Sequence, residues 1–485
     1  MVKGIVYFII GTVGLLFGAV QPWITVIYCA LMILAFGVMM WQGGLSWRPG
    51  VWVWATVGVF LLVTLFQMLP LPAEWLLLVS PVREKVLVEA AGILGVAVDA
   101  NAVAYSVYQA LARWGFLICL GLFFWVCVSL GRDRKTFKAM VWVALAVGTF
   151  EAVYGLAQAL IPQLGVLWVS ADFAGAGNAR GTYINRNNFA GLMEMLWPVA
   201  LGVTLAQGAL AEGRGIKAMF SEDRFNAQLL MFLVVALMVV ALFFSQSRAG
   251  ILGAFVGMAI LVGILRLASG RFQWGVRITL LALVALVVVY GSRIGFDHIV
   301  ERFLQLESGS VGRMAVWEPS WDMVTDHPAG VGLGNYEVVE PVYFDPGREG
   351  IRYRHAHNDY LQLLAEAGWA GAVPLVAGFF LFIGRGIWRV RRVGFNVGRF
   401  RLLVSVGALA GICSMGFHGF FDFNFQIPAN QVFFVLLLAL VESGLWPGRD
   451  GGQRSEVRGR RSEGRGRRAE DGGRMTEDGG WMSEV

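Results

Sequence analysis

Apolar runs of about twenty residues alternate with short polar segments along most of the chain. A helix needs roughly 20 apolar residues to cross the hydrocarbon core of a bilayer. The pattern therefore predicts an all-α, polytopic membrane bundle with twelve spans. The expected spans are 4–20, 23–41, 51–69, 109–130, 139–161, 188–207, 228–245, 249–268, 277–291, 358–384, 402–421 and 429–446.

The composition supports this interpretation, because 57% of the residues are hydrophobic and only 15% are charged. The mean hydropathy of +0.64 excludes an ordinary soluble globular protein. The net charge of +6 comes from basic loops between spans, so it indicates topology and predicts no nucleic-acid partner. The loop cations that fall on one side are Arg48, Arg132, Arg134, Lys135, Lys138, Arg214, Lys217, Arg224, Arg266, Arg271, Arg277, Arg385, Arg389, Arg391, Arg392, Arg399 and Arg401. By the positive-inside rule that side is the cytoplasm, and both termini lie there.

The two ends of the chain differ in character. The first apolar run has no small-residue cleavage site before Pro22, so it is expected to remain as a span. Residues 448–485 repeat every seven residues without two apolar positions per repeat, which predicts a disordered cytoplasmic tail after a transmembrane domain of residues 1–447. The cysteines fall inside predicted spans, without metal-ligand or disulfide spacing. They are Cys29, Cys119, Cys127 and Cys413.

Three longer segments are predicted on the opposite side of the membrane. Residues 70–108 contain an amphipathic piece at 82–91 that is expected to lie at the membrane interface. Residues 162–187 form a polar loop. Residues 292–357 form the longest hydrophilic insertion, and an insertion of this length in a compact domain is typical of a functional loop.

The densest polar cluster, residues 352–368, runs directly into an apolar helix. If that helix begins near His355, the side chains of His355, Asp359, Gln362 and Glu366 share one face, because their spacings are four, three and four. The residues expected on the other face are Leu361, Leu364 and Ala365. Polar residues entering a membrane helix indicate a functional site. The alternative is that His355 and Asp359 only lie at the wet end of the helix.

Two arginine-containing clusters stand at the same predicted side. Residues 180–190 include Arg180, Arg186 and several asparagines just before a span. Guanidinium groups suit phosphate, and a helix N-terminus adds unpaired N–H groups for the same anion. Arg248 lies in a very short turn, where the positive-inside rule disfavours it. An ordinary wet loop and a snorkelling interfacial arginine are the simpler interpretations of these two clusters.

A fourth cluster, residues 418–426, combines His418, Asp422 and Asn424 with phenylalanines. Asp422 could orient a catalytic histidine or arginine, whereas an aromatic belt with a capped loop is the simpler alternative. Histidine accepts a proton near neutral pH, as a general base for a sugar hydroxyl must. His355 and His357 lack further ligands at useful spacing, so no metal is expected.

Considered together, these clusters suit glycosyl transfer from a lipid diphosphate. Arginines would bind the diphosphate, which is already a good leaving group, and a histidine would deprotonate the incoming hydroxyl. A single displacement of this kind inverts the anomeric centre and needs no covalent enzyme intermediate.

The motifs at residues 180–190, 247–250 and 357–368 resemble those of the O-antigen ligase and O-antigen polymerase superfamily. Residues 312–317 and 330–335 are similar to the large periplasmic loop of that family, and the likeness covers roughly 150–440.

The resemblance implies a GT-C-like transferase of the bacterial inner membrane that acts at the periplasmic face, without a metal or other cofactor. The implied partners are an undecaprenyl-diphosphate-linked glycan as donor, lipid A-core or a growing glycan as acceptor, and membrane lipids.

The resemblance also implies roles for individual residues. Arg180 and Arg248 would contact the diphosphate, and His357 would lie near the acceptor hydroxyl, with His355 as a competing base. Arg186 ranks below Arg180, because the family often has proline at its place, and Arg313 is a further candidate contact. The expected supporting residues are Asn185, Asn188, Asn358, Asp359, Glu366, His418 and Asp422.

Other functions remain open at this point. A polysaccharide polymerase or a protein O-oligosaccharyltransferase would use the same donor chemistry with a different acceptor. Twelve spans also suit a non-enzymatic transporter of lipid-linked glycan, although no internal repeat relates the two halves and few charges lie at mid-membrane depth. A scaffold for a capsule-assembly complex would leave the outward arginines unexplained.

Overall fold

The structure is a computed structural model that describes residues 1–95, 100–161, 163–169, 177–207, 223–269, 306–344 and 352–446. Within these ranges the chain is almost entirely helical. The helices are α1 Val2–Thr12, α2 Pro22–Trp41, α3 Val51–Phe66, α4 Ala73–Val79, α5 Pro81–Leu94, α6 Val107–Gly131, α7 Arg134–Leu160, α8 Arg186–Gln207, α9 Asp223–Phe244, α10 Arg248–Ser269, α11 Leu306–Asp326, α12 Tyr336–Tyr343, α13 Asp359–Val393, α14 Arg399–His418 and α15 Pro428–Gly444. One short antiparallel pair, β1 Leu71–Pro72 and β2 Ala100–Asn101, joins Leu71 to Asn101.

The predicted all-α membrane architecture is confirmed. Among the described residues, eight helices are long and apolar enough to cross a membrane: α2, α6, α7, α8, α9, α10, α13 and α14. The shorter apolar helices α1, α3 and α15 occupy three more predicted spans. The predicted span at 277–291 lies outside the described residues, as does the tail 448–485. The total of twelve spans therefore stays a prediction.

Two predicted spans differ from the helices found. The first was expected to run to residue 20, but α1 ends at Thr12. Phe17, Gly18 and Ala19 all have positive φ, at 53°, 68° and 57°, so the backbone turns there and cannot continue the helix. The span expected at 358–384 is part of the longer α13, which is interrupted at Gly368, where φ is 66° and ψ is 177°.

Helices α8 and α14 form the centre of the bundle. In the most apolar stretch of each, 94% and 83% of the residues are buried, against 28% in α2. Their backbones pack closely because glycines lie at the crossing: a Cβ on Gly202 would meet the Leu403 carbonyl, and one on Gly407 would meet the Pro198 carbonyl. Small residues at such crossings are the usual means of packing membrane helices. The centre of the bundle therefore provides a rigid base for the loops at its ends.

Part of the large loop packs directly on α13. Its helices α11 and α12 share a buried apolar cluster with Leu361 and Ala365, with Leu364 at the edge. These are the residues expected on the apolar face of α13, so that face is confirmed. The polar face of α13 is left for the loops described next.

Candidate functional site

Helix α13 begins later than the spacing predicted. It starts at Asp359, because the Asn358 side chain accepts hydrogen bonds from the N–H groups of Tyr360 and Leu361 at 3.1 Å each. His357 has a φ of 50°, a left-handed conformation that ends any regular helix on its N-terminal side. His355 therefore lies in the loop and does not share a helical face with Asp359; that expectation was wrong. Asn358 acts here as a helix cap.

His357 lies beside a buried carboxylate. Its Nδ1 is 3.4 Å from Oδ1 of Asp422, whose side chain is fully buried while that of His357 is 31% exposed. Asn187 donates a hydrogen bond to Oδ2 of the same carboxylate at 2.5 Å. Asp422 thus joins three segments that are distant in sequence: the first turn of α8, the loop before α13 and the turn after α14. The imidazole keeps its outer edge accessible.

His355 occupies a different environment. Its ring stacks on Phe423 with centroids 4.4 Å apart, whereas the His357 ring meets the same phenylalanine edge-on at 4.9 Å. Burial, with a smaller effect of the Arg113 charge, lowers the pKa of His355 to about 4. A histidine with such a low pKa is a weak proton acceptor at neutral pH. Of the two histidines, His357 is therefore better suited to be a base.

Asp359 fixes the turn that carries Asp422. Its carboxylate accepts hydrogen bonds from the Phe425 N–H at 3.0 Å and from the Gln426 side chain at 3.3 Å. Its own N–H donates to the Gly419 carbonyl at 2.7 Å. The start of α13 and the 419–426 turn are thereby held together on both sides of the contact between His357 and Asp422.

Glu366 and Gln362 hold the histidine segment from the other side. Gln362 donates to Oε1 of Glu366 at 2.8 Å, and its amide oxygen accepts from the N–H of Ala356, the residue between the two histidines, at 3.3 Å. Glu366 also accepts from the Gly334 N–H at 2.8 Å, which ties the large loop into the same network. Arg113 of α6 faces Glu366 and Asp359 and donates to Gln426 at 2.5 Å. These contacts keep the histidines in place without occupying the exposed edge of His357.

The Arg180 loop is anchored in the bundle by buried groups. The Arg180 N–H donates to Gln158 at 3.2 Å, and its guanidinium donates to the Ile184 carbonyl at 3.2 Å. Burial lowers the pKa of Arg180 from its usual value, but a guanidinium remains charged at physiological pH. Glu151 of α7 accepts from the N–H and hydroxyl of Thr182 at 2.8 and 2.7 Å. The loop is therefore held in one conformation.

The turn that contains Arg248 is joined to this loop. The N–H of Ala179, next to Arg180, donates to the Phe244 carbonyl at 3.0 Å. Gln246 has a φ of 54°, so the chain turns sharply there. The Ser247 hydroxyl accepts a hydrogen bond from the Gly250 N–H at 3.3 Å, so Ser247 caps α10, which begins at Arg248. Both arginines thus lie on neighbouring loops at one end of the bundle, the end that also carries the contact between His357 and Asp422.

The asparagines named from the sequence have mainly structural contacts. Asn185 accepts from the Asn187 N–H at 2.9 Å at the start of α8. The carbonyl of Asn188 accepts from Asn430 at 3.0 Å, and Asn430 also bonds Asn424 and Tyr183. Arg186 donates to Asn178 at 3.3 Å.

Two predicted site residues remain, His418 and Arg313. His418 is buried inside the bundle, where its Nδ1 lies 2.8 Å from Glu194 of α8. The Arg313 side chain lies outside the described residues, although α11 includes its backbone. Among the described residues no group of three or more His, Cys, Asp or Glu side chains could hold a metal ion. The absence of a metal from the reaction stays a prediction.

Sequence reasoning missed Asn187, Arg113 and Glu151, which hold the loops of the site, and Glu194, which contacts His418. The two glutamates carried a signal, because each is an isolated acid inside an apolar run. Nothing in the local pattern distinguishes Asn187 from Asn185 and Asn188, and only the fold places it against Asp422.

A family model described as O-antigen ligase matches residues 233–376. This part of the chain is therefore similar to the O-antigen ligase family. The resemblance inferred from the motifs is confirmed, over a narrower region than the expected 150–440. No curated protein matches the chain.

The O-antigen ligase match extends from α9 into α13 and so includes Arg248 and His357. Arg180 and Asp422 lie outside it, but Ala179, next to Arg180, donates to the Phe244 carbonyl, and Asp422 lies beside His357. Together with the apolar helices, the match supports a multi-pass membrane enzyme that processes glycans.

Proposed function

We propose that the protein is a membrane glycosyltransferase that moves a glycan from undecaprenyl diphosphate to an acceptor hydroxyl at the periplasmic face of the bacterial inner membrane. The observation that carries the proposal is the contact between His357 and the buried Asp422, on loops joined to the one that holds Arg180. An imidazole with a carboxylate on one nitrogen and an accessible opposite edge is the arrangement that a general base requires.

In the proposed reaction, Asp422 faces Nδ1 of His357 and leaves Nε2 to take the proton from the acceptor hydroxyl. The oxygen of that hydroxyl forms the new bond to the anomeric carbon, and the bond from this carbon to the diphosphate oxygen breaks. The electron pair leaves with the diphosphate, and the configuration is inverted. His357 ends the step protonated and returns the proton to solvent.

The cationic residues hold the leaving group. Arg180 and Arg248 bind the diphosphate, with Arg186 and Arg313 as further contacts, because guanidinium groups stabilise the charge that develops on its oxygens. Their loops are fixed by Glu151, Gln158 and the bond between Ala179 and Phe244, so little reorganisation accompanies the reaction. Asn185, Asn188, Asn358, Asp359 and Glu366 support the loops.

The test supplies purified full-length protein with an undecaprenyl-diphosphate-linked glycan and three acceptors separately: lipid A-core, free polysaccharide and protein. Mass spectrometry of the product identifies which acceptor gains the glycan. Wild type is compared with Arg180→Gln, Arg248→Gln and, as the matched control, Arg391→Gln, which removes an exposed charge from the far end of α13.

We expect transfer by wild type and Arg391→Gln, and a loss of at least about a hundredfold in each of the other two variants. In cells, the same variants should lose surface polysaccharide laddering on a gel. Normal transfer by both Arg180→Gln and Arg248→Gln, at wild-type protein levels, would contradict the proposal.

A further inference from the structure

A second buried polar cluster lies apart from the candidate site, between the 70–108 connection and the large loop. It contains Arg83 of α5, Tyr105 just before α6 and His327 just after α11. Arg83 is only 8% exposed and His327 only 1%. None of these residues takes part in the contacts between His357, Asp422 and the Arg180 loop.

The three side chains are in direct contact. The guanidinium carbon of Arg83 lies 4.1 Å from the centre of the Tyr105 ring, a cation–π geometry. The Tyr105 hydroxyl lies 3.4 Å from Nε2 of His327. Behind His327, the ring of Tyr343 packs edge-on at 6.2 Å, and its hydroxyl donates to Asp326 at 3.0 Å.

Three buried polar atoms of this cluster have no hydrogen-bond partner within the part of the chain that the structure describes. They are Nε of Arg83, Nδ1 of His327 and Oγ of Ser80, the residue that precedes α5. With Nε2 of His327 accepting the Tyr105 hydroxyl proton, Nδ1 carries the ring proton, so all three atoms can donate. Leaving one such donor buried without a partner costs about 1–3 kcal/mol, and native proteins contain only a few per hundred residues.

Among the described residues, Arg83 also has no carboxylate counter-ion. No ion pair joins it to any described residue, and the aromatic ring of Tyr105 is its main electrostatic neighbour. A buried cation without an anion is strongly unfavourable. A group of buried donors around an unbalanced guanidinium therefore points to an anionic ligand, and planar guanidinium donors fit phosphate oxygens.

The surroundings of Arg83 identify the carrier of that anion. Helices α4 and α5 bury the arginine but expose large apolar side chains, including Leu78 at 80%, Ile93 at 85% and Trp75 at 61%. A soluble helix shows the reverse pattern. Exposed Trp and Leu beside a buried cation are typical of a segment at the lipid head-group level, with its apolar side chains among the acyl chains.

We propose that Arg83, Ser80, Tyr105 and His327 form a binding site for the phosphate group of a membrane lipid. The head-group phosphate accepts from the buried donors, and the acyl chains lie along the exposed residues of α4 and α5. The site is coupled to α13, because the Tyr105 N–H donates to the Val331 carbonyl at 3.1 Å and the Val331 N–H donates to the Ala365 carbonyl at 2.9 Å.

The test measures binding by native mass spectrometry of the detergent-solubilised full chain. The probes are dioctanoyl phosphatidic acid, dioctanoylglycerol, which has the same acyl chains without the phosphate, and inorganic phosphate. Arg83→Gln removes the buried charge. Lys85→Gln is the matched control, because it removes a 76%-exposed charge from the same helix, where the lysine pairs only with Glu89.

We expect saturable binding of phosphatidic acid to wild type and to Lys85→Gln, and binding at least about tenfold weaker to Arg83→Gln. Arg83→Lys, which keeps the charge but loses the planar donors, should be intermediate and serves where Arg83→Gln does not fold. Equal binding of phosphatidic acid to wild type and to both Arg83 variants would overturn the site. Equal binding of dioctanoylglycerol and phosphatidic acid would overturn phosphate recognition, and equal binding of inorganic phosphate would overturn the assignment to a lipid. The binding measurements do not depend on glycan transfer.

Discussion

The two ends of the helical bundle both contain buried charges, but they satisfy them differently. At one end, which we call the basic end, Arg389 pairs with Glu442 at 2.6 Å and also donates to its carbonyl. Arg401 there donates to the carbonyls of Gly131 and Arg132 at 2.8 and 2.7 Å. At the other end, the site end, the imidazole of His357 keeps an accessible edge beside Asp422.

The way in which a buried charge is paired distinguishes structural charges from functional ones better than the number of arginines does. A cation such as Arg389, which is paired with a carboxylate of the protein, has little capacity left for a substrate, and it contributes to stability. A buried group whose partners leave one side open can act on a ligand. We therefore expect changes at the basic end to affect stability, and changes at the site end to affect activity.

The largest expected effect is on transfer by His357→Gln. Because His357 would be the base, the rate of glycan transfer should fall by about 10²- to 10⁴-fold in a single-turnover assay with saturating donor. His355→Gln should lose no more than about tenfold, since burial makes His355 a weak base. The reverse order of the two variants would show that His355 is the base.

A large effect on stability is expected from Glu442→Gln at the basic end. Removing one partner of the buried pair leaves Arg389 uncompensated, so the free energy of unfolding should fall by about 3–5 kcal/mol. Thermal unfolding in detergent measures this loss of stability. The double variant Arg389→Met, Glu442→Leu should recover most of the loss. The transfer rate per folded molecule should stay at the wild-type value. A folded but inactive Glu442→Gln would remove the distinction between the two ends.

The sequence predicted the helices well, because a bilayer requires a certain length of apolar residues and that length can be read directly. It did not predict the helix boundaries that depend on the backbone torsion angles of single residues. The turn from Phe17 to Ala19 prevents a helix from reaching residue 20, and His357 and Asn358 delay the start of α13. Positive φ at Phe17, Ala19 and His357 has no sequence signal, because these residues rarely adopt it.

The site was predicted in part. The four polar clusters were visible as unusual residues in an apolar chain, and the fold brings the loops of Arg180, Arg248 and His357 to one end. The contacts that organise them were not visible, since Asp422 meets Asn187 across 235 positions of sequence and Arg113 meets Gln426 across 313. The partner of His418, the buried Glu194, was likewise not visible.

A smaller effect on activity is expected from Gln362→Met at the site end. This change removes the hydrogen bonds to Glu366 and to the Ala356 N–H, so the histidine segment should lose its fixed position. We expect about a tenfold lower kcat with an unchanged KM for the donor. Gln109→Met, an exposed glutamine at the same end, is the control and should behave as wild type. A change in donor KM alone would assign Gln362 to binding instead of positioning.

The smallest expected effect is a pH dependence of stability that originates at the site end. Burial lowers the pKa of both His327 and His355 to about 4, whereas an unfolded histidine has a pKa of about 6.5. Between these values the unfolded chain binds more protons than the folded one, so stability is complete above pH 6.5 and is lost as the pH falls towards 4. From pH 7 to 5.5 each histidine should remove about 1 kcal/mol from the free energy of unfolding.

Thermal unfolding at the two pH values tests this for wild type, His327→Gln and His355→Gln. The two histidines together cause a loss of stability on acidification, and each substitution should remove about half of that loss. Glu442→Gln should unfold at a lower temperature than wild type at both pH values but show the same loss between them, because the basic end contains no buried histidine among its described residues. An unchanged loss in both histidine variants would mean that the acid sensitivity arises elsewhere, and the two ends would then no longer differ in this respect.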